Sequence, residues 1–266
     1  MLREFLIFRI IEKLSMKSII LFPFRFIYKI YILTCFVLLL VLFYPFLRFF
    51  LSKKERFPSA FKMMKFYGKL FLFCAGIFLK IKGRENIIED RPFLICSNHS
   101  SFLDIPCLYS IFDEYFVFTG KKEIENWPLF NIFYTSGMNI LVDRYNKMGI
   151  LKGFKRMMEV IDEGHPLVIL PEGTISKIAP RLTEFKTGSV SLAIHKQIPI
   201  LPITFTTNWI RLQRKGLLKG KASPGISEVI IHSLISTSGL TKNDTDALQL
   251  KLRGIINSPL HKKYGV

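Results

Sequence analysis

The residues best suited to chemistry lie together in FLICSNHSSFLD, residues 93–104. An apolar, strand-like run ends at Asn98 and His99, and Asp104 follows five residues after the histidine. Imidazole titrates near neutral pH, so it can take a proton and return it. A carboxylate on its other ring nitrogen fixes the tautomer and stabilises the imidazolium that forms. In a regular helix a five-residue step turns by about 140°, and His99 and Asp104 would face apart. At a strand-to-helix turn that bends back, the carboxylate reaches the ring. Ser100 and Ser101 supply N-cap chemistry for a following helix, with Pro106 tolerable only in its first turn. These residues alone leave two readings open: a His–Asp general base facing a cleft, or a structural histidine with a capping aspartate.

Elements able to place such a turn follow from Lys82 onward. Short β-branched or aromatic runs predict strands at Phe93–Cys96, Tyr115–Phe118, Asn139–Val142, Leu167–Leu170, Ile200–Phe205 and Glu228–Leu234. Between them, Lys147 to Glu163 sets Ile150, Leu151, Phe154, Met157, Met158 and Ile161 at helical spacing, and Gly164 is a natural stop. Residues 187–196 and 244–257 also read as helices. Strands alternating with helices predict an α/β domain, a layered sheet with flanking helices. The composition changes near residue 83. The expected organisation is therefore an N-terminal membrane-anchoring helical segment over 1–83 and a catalytic domain over 84–266.

Charge and hydropathy sharpen that division. The 266-residue chain carries a formal net charge of +18 and a mean hydropathy of +0.31. Residues 1–82 hold 15 Lys and Arg against three acids, a net +12, which leaves +6 for the rest. Being both basic and apolar points to an anionic lipid surface rather than to nucleic acid. Ile30 to Leu47 is uncharged and would reach roughly 27 Å as a helix, enough to cross a bilayer core. Pro45 should kink or end it. Leu70 to Leu79 is apolar but too short to span. Basic residues flank the first stretch on both sides, so no single-span orientation is favoured. Lys62, Lys65 and Lys69 continue the basic pattern, and a monotopic attachment is the preferred expectation. A cleavable signal peptide fits poorly. Cys35, Cys74, Cys96 and Cys107 form no C-x-x-C pair and read as small hydrophobes. No metal or nucleotide motif occurs, so no cofactor or metal is expected. His165, His195, His232 and His261 have no partner at ligand spacing.

Five blocks in order raise the first reading above the second: Asn98-His99 with Asp104, GKKEIENWP at 120–128, GMNILVDR at 137–144, LPEGTIS at 170–176 with FKTGS at 185–189, and IPILPI at 198–203. Over roughly residues 85–210 the chain resembles the glycerolipid acyltransferases, specifically the 1-acylglycerol-3-phosphate acyltransferases. The resemblance implies a glycerolipid acyltransferase-like fold and an O-acyltransferase of phospholipid biosynthesis. An acyl group would pass from acyl-CoA or acyl carrier protein, as co-substrate, to the free hydroxyl of a lysophospholipid acceptor, 1-acylglycerol-3-phosphate, giving phosphatidate. It implies His99 and Asp104 as catalytic residues. It implies substrate-binding roles for Asn98, Lys121, Lys122, Arg144, Glu172, Gly173, Thr174 and Lys186. It also implies a place among membrane phospholipids at the cytoplasmic face, the inner membrane in a bacterium. A thioester is already activated, so no enzyme nucleophile is required, and no G-x-S-x-G elbow is present. Backbone N–H groups around Pro171–Gly173 or just after His99 are candidates for an oxyanion site.

One position departs from the family pattern. Where the family reads E-G-T-R-S, with the Arg associated with phosphate, Ile175 stands here. Isoleucine cannot bind an anion. Lys177, Arg181 and Lys186 lie close in sequence, and Arg181 is the expected replacement. An acceptor other than lysophosphatidate, such as glycerol-3-phosphate or a lyso-aminolipid, is the alternative, as is a non-catalytic lipid-surface module. No nucleic-acid partner is expected, because the basic residues are interleaved with apolar runs.

Overall fold

The computed structural model describes residues 2–89 and 92–266, with side chains from Ile20 onward. Two helices come first, α1 (Leu2–Phe50) and α2 (Phe57–Cys74). They pack antiparallel: Tyr28 donates to the Ala75 carbonyl (2.7 Å), Tyr67 to that of Phe36 (3.1 Å), and the Phe43 and Phe66 rings lie 6.0 Å apart. Within α1, Ile20–Phe50 is long and apolar enough to cross a membrane, its 31 residues reaching roughly 46 Å. Phe22, Phe24, Ile27, Leu38, Leu42 and Phe46 face outward from it. Pro45 does not end the helix, which runs on to Phe50.

The remaining chain forms the expected α/β layers. The elements are β1 (Ile77–Lys82), β2 (Leu94–Ser97), α3 (Asp104–Ile111), β3 (Val117–Lys121), α4 (Ile132–Thr135), β4 (Ile140–Val142), α5 (Lys147–Asp162) and β5 (Leu167–Ile169). Then come α6 (Gly188–Lys196), β6 (Ile200–Phe205), α7 (Asn208–Arg211), β7 (Gly225–Ile231) and α8 (Thr245–Tyr264). Seven strands lie in the order β1-β7-β6-β2-β5-β3-β4. Every neighbouring pair is parallel except β6 with β7. Buried on both faces, β2 and β6 read as unbroken apolar runs rather than alternating ones. One apolar cluster joins α1, α2 and α3 to one face, and a second joins α5, α6 and α8 to the other.

Several boundaries differ from expectation. The apolar stretch 70–79 is not one element: it holds the end of α2, a turn at Gly76 (φ +64°) and the start of β1. β1 pairs with β7 as the sheet edge, so the sheet takes in residues on both sides of the division drawn at 83. The strand expected at 115–118 lies at 117–121, and that expected at 228–234 lies at 225–231. α8 continues through Pro259 to Tyr264.

Parallel pairing has one consequence for the site. β2, β3, β4, β5 and β6 all point the same way, so their carboxyl ends share one edge. His99 follows β2, Lys121 ends β3, Arg144 follows β4, Glu172 follows β5 and Asn208 follows β6. Ligands of open parallel sheets bind at this edge.

Candidate active site

After β2 the chain turns sharply and starts α3 at Asp104. His99 Nδ1 lies 2.9 Å from Asp104 Oδ2. A carboxylate oxygen only accepts, so Nδ1 carries the proton and Nε2 keeps a free lone pair. Asp104 is fully buried (0% exposed). It also accepts from the backbone N–H of Ser100 (2.7 Å) and Ser101 (2.9 Å), and from Asn208 Nδ2 (2.8 Å). Asn208 in turn accepts from Ser227 Oγ (2.5 Å). With this many donors the side chain is held in one orientation. Ser101 does not cap α3; its hydroxyl donates to the Leu212 carbonyl (2.7 Å).

Asn98 and Glu172 are buried, and both side chains bond to neighbouring segments of the chain. Asn98 Nδ2 donates to the Phe205 carbonyl (3.0 Å), and its Oδ1 accepts from Phe205 N (2.8 Å). It thereby extends the β2–β6 ladder by one rung. Glu172 is 5% exposed. Its Oε1 accepts from His99 N (2.8 Å), and its Oε2 from Thr183 N (2.9 Å) and Thr183 Oγ1 (2.7 Å). Burial raises its carboxyl above the usual range, opposed by these hydrogen bonds. Glu172 therefore holds the His99 turn in place and closes no salt bridge. Of the candidate oxyanion N–H groups, that of Gly173 donates to the Leu170 carbonyl (2.8 Å), and those of residues 99–101 go to Glu172 and Asp104.

Cations gather about the next turn. Arg144 Nη1 donates to the Gly173 carbonyl. Gly173 sits at φ +70°, and a Cβ there would stand 3.0 Å from Arg144 Nη1 and 3.5 Å from Lys186 Nζ. Only glycine fits both that backbone and that approach. Lys122 pairs with Asp143 (3.2 Å) on the surface, which leaves Arg144 free of that aspartate and, among the described residues, Lys121 as the member of the basic pair without an ionic partner. Ile175 is buried and holds no anion. Arg181 is exposed, and only its backbone joins the loop, its carbonyl accepting from Ser176 Oγ (3.1 Å). The cation that reaches Thr174 and residue 175 is Arg214, whose Nη1 donates to Thr174 Oγ1 (2.7 Å) and the Ile175 carbonyl (3.0 Å). Sequence reading had missed Arg214, Asn208 and Ser227; a polar Thr-Thr-Asn directly after the apolar run of β6 was the one available signal.

Beside the turn lies an apolar cavity of about 590 Å³ between α1, α2, α3 and residues 127–134 and 212–217. Phe102, Leu103 and Arg214 line its end nearest the dyad, although His99 itself does not. Lys29 to Leu40 of α1 form one wall, a length of roughly 16 Å. The volume is within the range of about 300–1,000 Å³ usual for small-molecule sites. Burial pushes the Cys96 and Cys107 thiols up to about 12, so they behave as packing groups. No group of three metal-ligating side chains occurs among the described residues.

Residues 78–206 match the family model described as Acyltransferase. Over 158 residues the chain is 31% identical to a 1-acyl-sn-glycerol-3-phosphate acyltransferase of Cocos nucifera, covering 59% of this chain and 50% of that one. A probable enzyme of the same name from Mycoplasma genitalium is 25% identical over 217 residues, covering 77% and 80% of the two chains. The chain spans about half the length of the plant relatives it matches. The crystal structure of the 1-acyl-sn-glycerophosphate acyltransferase of Thermotoga maritima superposes with a TM-score of 0.71 at 21% identity, covering 91% of this chain and 96% of that one. At that identity the likeness is one of fold.

Proposed function

We propose that the chain is an acyltransferase, on the match of residues 78–206 to that family model, and that it acylates the free hydroxyl of 1-acylglycerol-3-phosphate to give phosphatidate. Acyl-CoA or acyl carrier protein supplies the acyl group. The observation that carries this reading is the His99–Asp104 pair, set beside both an apolar cavity and cations that lack carboxylate partners. The likeness in name to the matched relatives supports it.

His99 Nε2 takes the proton of the acceptor hydroxyl as its oxygen attacks the thioester carbonyl. The tetrahedral intermediate then expels the thiolate, and the imidazolium returns the proton to the departing sulfur. Asp104 stabilises the imidazolium between these steps. No covalent acyl-enzyme forms. Arg144 and Lys186 offer positive charge to the acceptor phosphate, and the cavity offers an acyl chain a dry wall along α1. The outward apolar face of α1 and the N-terminal positive charge hold the protein on an anionic, cytoplasmic membrane face, where both substrates reside.

The test is acyl transfer by membranes carrying the protein, with lysophosphatidate, glycerol-3-phosphate and a lyso-aminolipid as acceptors and His99→Ala as control. Lysophosphatidate should be the preferred acceptor, and the variant should lose at least ~100-fold in rate. Preference for another acceptor would redirect the substrate assignment, and full activity in His99→Ala would overturn the mechanism.

A further inference from the structure

The segment between α7 and β7 is anchored on two sides. Ser101 Oγ, next to the catalytic turn, donates to the Leu212 carbonyl (2.7 Å). On the other side the buried Lys29 ammonium of α1 donates to the carbonyls of Gly216 (2.9 Å), Leu217 and Gly220 (3.4 Å each), and Lys219. Arg214 lies between these anchors, half-buried, at the end of the apolar cavity nearest the dyad.

Its guanidinium is used on one nitrogen only. Nη1 donates to Thr174 and Ile175, while Nε and Nη2 have no partner among the described residues. Among the described residues no carboxylate lies within ion-pair distance of it. The turn it grips is joined to the histidine directly, since Ser176 N donates to the His99 carbonyl (2.7 Å). Arg144 grips the same turn at Gly173. A guanidinium fixed by one arm presents its Nε–Nη2 edge as a two-pronged donor, the geometry that suits a phosphate monoester. Bringing unpaired cations to one half-buried turn is costly without an anion to neutralise them.

We propose that Arg214 binds the phosphate of the acceptor and makes the site selective for acceptors that carry one. The ligand's identity rests on the function proposed above. Residue 175 then needs no charge, because the cation arrives from a segment 39 residues further along the chain.

Equilibrium binding to the full-length protein in mixed micelles tests this without turnover. The probes are lysophosphatidate and its dephosphorylated counterpart, monoacylglycerol. In Arg214→Gln the lysophosphatidate Kd should rise about 10- to 100-fold, as expected for a lost charged hydrogen-bond pair, while monoacylglycerol changes by no more than about twofold. An unchanged lysophosphatidate Kd, or equal losses for both ligands, overturns the proposal. Wild-type protein provides a second measurement that does not depend on the variant folding. Lysophosphatidate, but not monoacylglycerol, should protect Arg214 from phenylglyoxal, read by mass spectrometry of its peptide. Equal labelling with both ligands also overturns it. Phosphate-selective binding through Arg214 without acyl transfer in the wild type would refute the proposed reaction and leave this inference standing.

Discussion

Replacing Asp104 with Asn keeps the volume of the side chain and removes its charge. The carboxylate accepts from His99 Nδ1, two backbone N–H groups and Asn208. An amide offers one oxygen, so one arm of the new side chain must face a donor. If the oxygen stays toward His99, its NH₂ meets Asn208 Nδ2. The stability cost of that mismatch is about 1–3 kcal/mol. The catalytic cost is larger. Imidazolium forms as the acceptor proton moves, and its charge centre lies about 4 Å from the carboxylate. At an effective dielectric constant of about 20 that attraction is worth about 4 kcal/mol, or ~10³-fold in rate. Asp104 is fully buried, so it does not meet substrate, and KM should move by less than about threefold. The assay is steady-state acyl transfer in mixed micelles, with the melting curve of the variant as a folding control. His99→Ala should lose a similar factor, and the double variant little more, because the two groups act as a unit. A folded Asp104→Asn variant with kcat within about tenfold of wild type would refute the coupling of charge to catalysis.

Gly173→Ala forces a Cβ onto φ +70° and against Arg144; it should cost about 1–2 kcal/mol, a few degrees of Tm, and raise the acceptor KM. Lys29→Met keeps the apolar stem but strips four carbonyls of their donor. Amide exchange over residues 213–220 should quicken and acceptor KM rise; unchanged exchange would show that the segment is held by other contacts. Glu228 is held down to about 2, first by its hydrogen bond from Lys263 and further by Thr206 and Lys82. A carboxyl lowered in the folded state contributes stability that is complete above its ordinary value of 4.5 and disappears as pH falls toward 2. The Tm gap between wild type and Glu228→Gln should therefore be constant near neutrality and close between pH 4.5 and 2. A gap independent of pH would contradict that origin.

Local pattern was sufficient where one element carries its own signal. The buried runs of β2, β5 and β6 are apolar because both sheet faces are covered. The spacing in α5 displays one packed face, and the first 82 residues combine a basic charge with an apolar helix exterior. β1 escaped notice because IFLKIK continues the apolar stretch that ends α2, and only its pairing with β7, some 148 residues later, makes it a strand. Residue type does not by itself give a side chain's direction. Glu172 and Asn98 stand in a motif rich in polar groups, yet both turn inward and hold backbone.

From sequence alone came the His99–Asp104 spacing, the α/β class, a basic apolar anchor and the absence of a cation at residue 175. These depend on neighbours within a few positions, so periodicity and composition record them. Tertiary structure decided which donors hold Asp104, which carboxylate braces the histidine turn and which arginine reaches Thr174. The bonds from Asn208 to Asp104, from His99 to Glu172 and from Arg214 to Thr174 join residues 40 to 104 apart in sequence. Their meeting follows from parallel strands that bring separate carboxyl ends to one edge, and no local pattern encodes that registry.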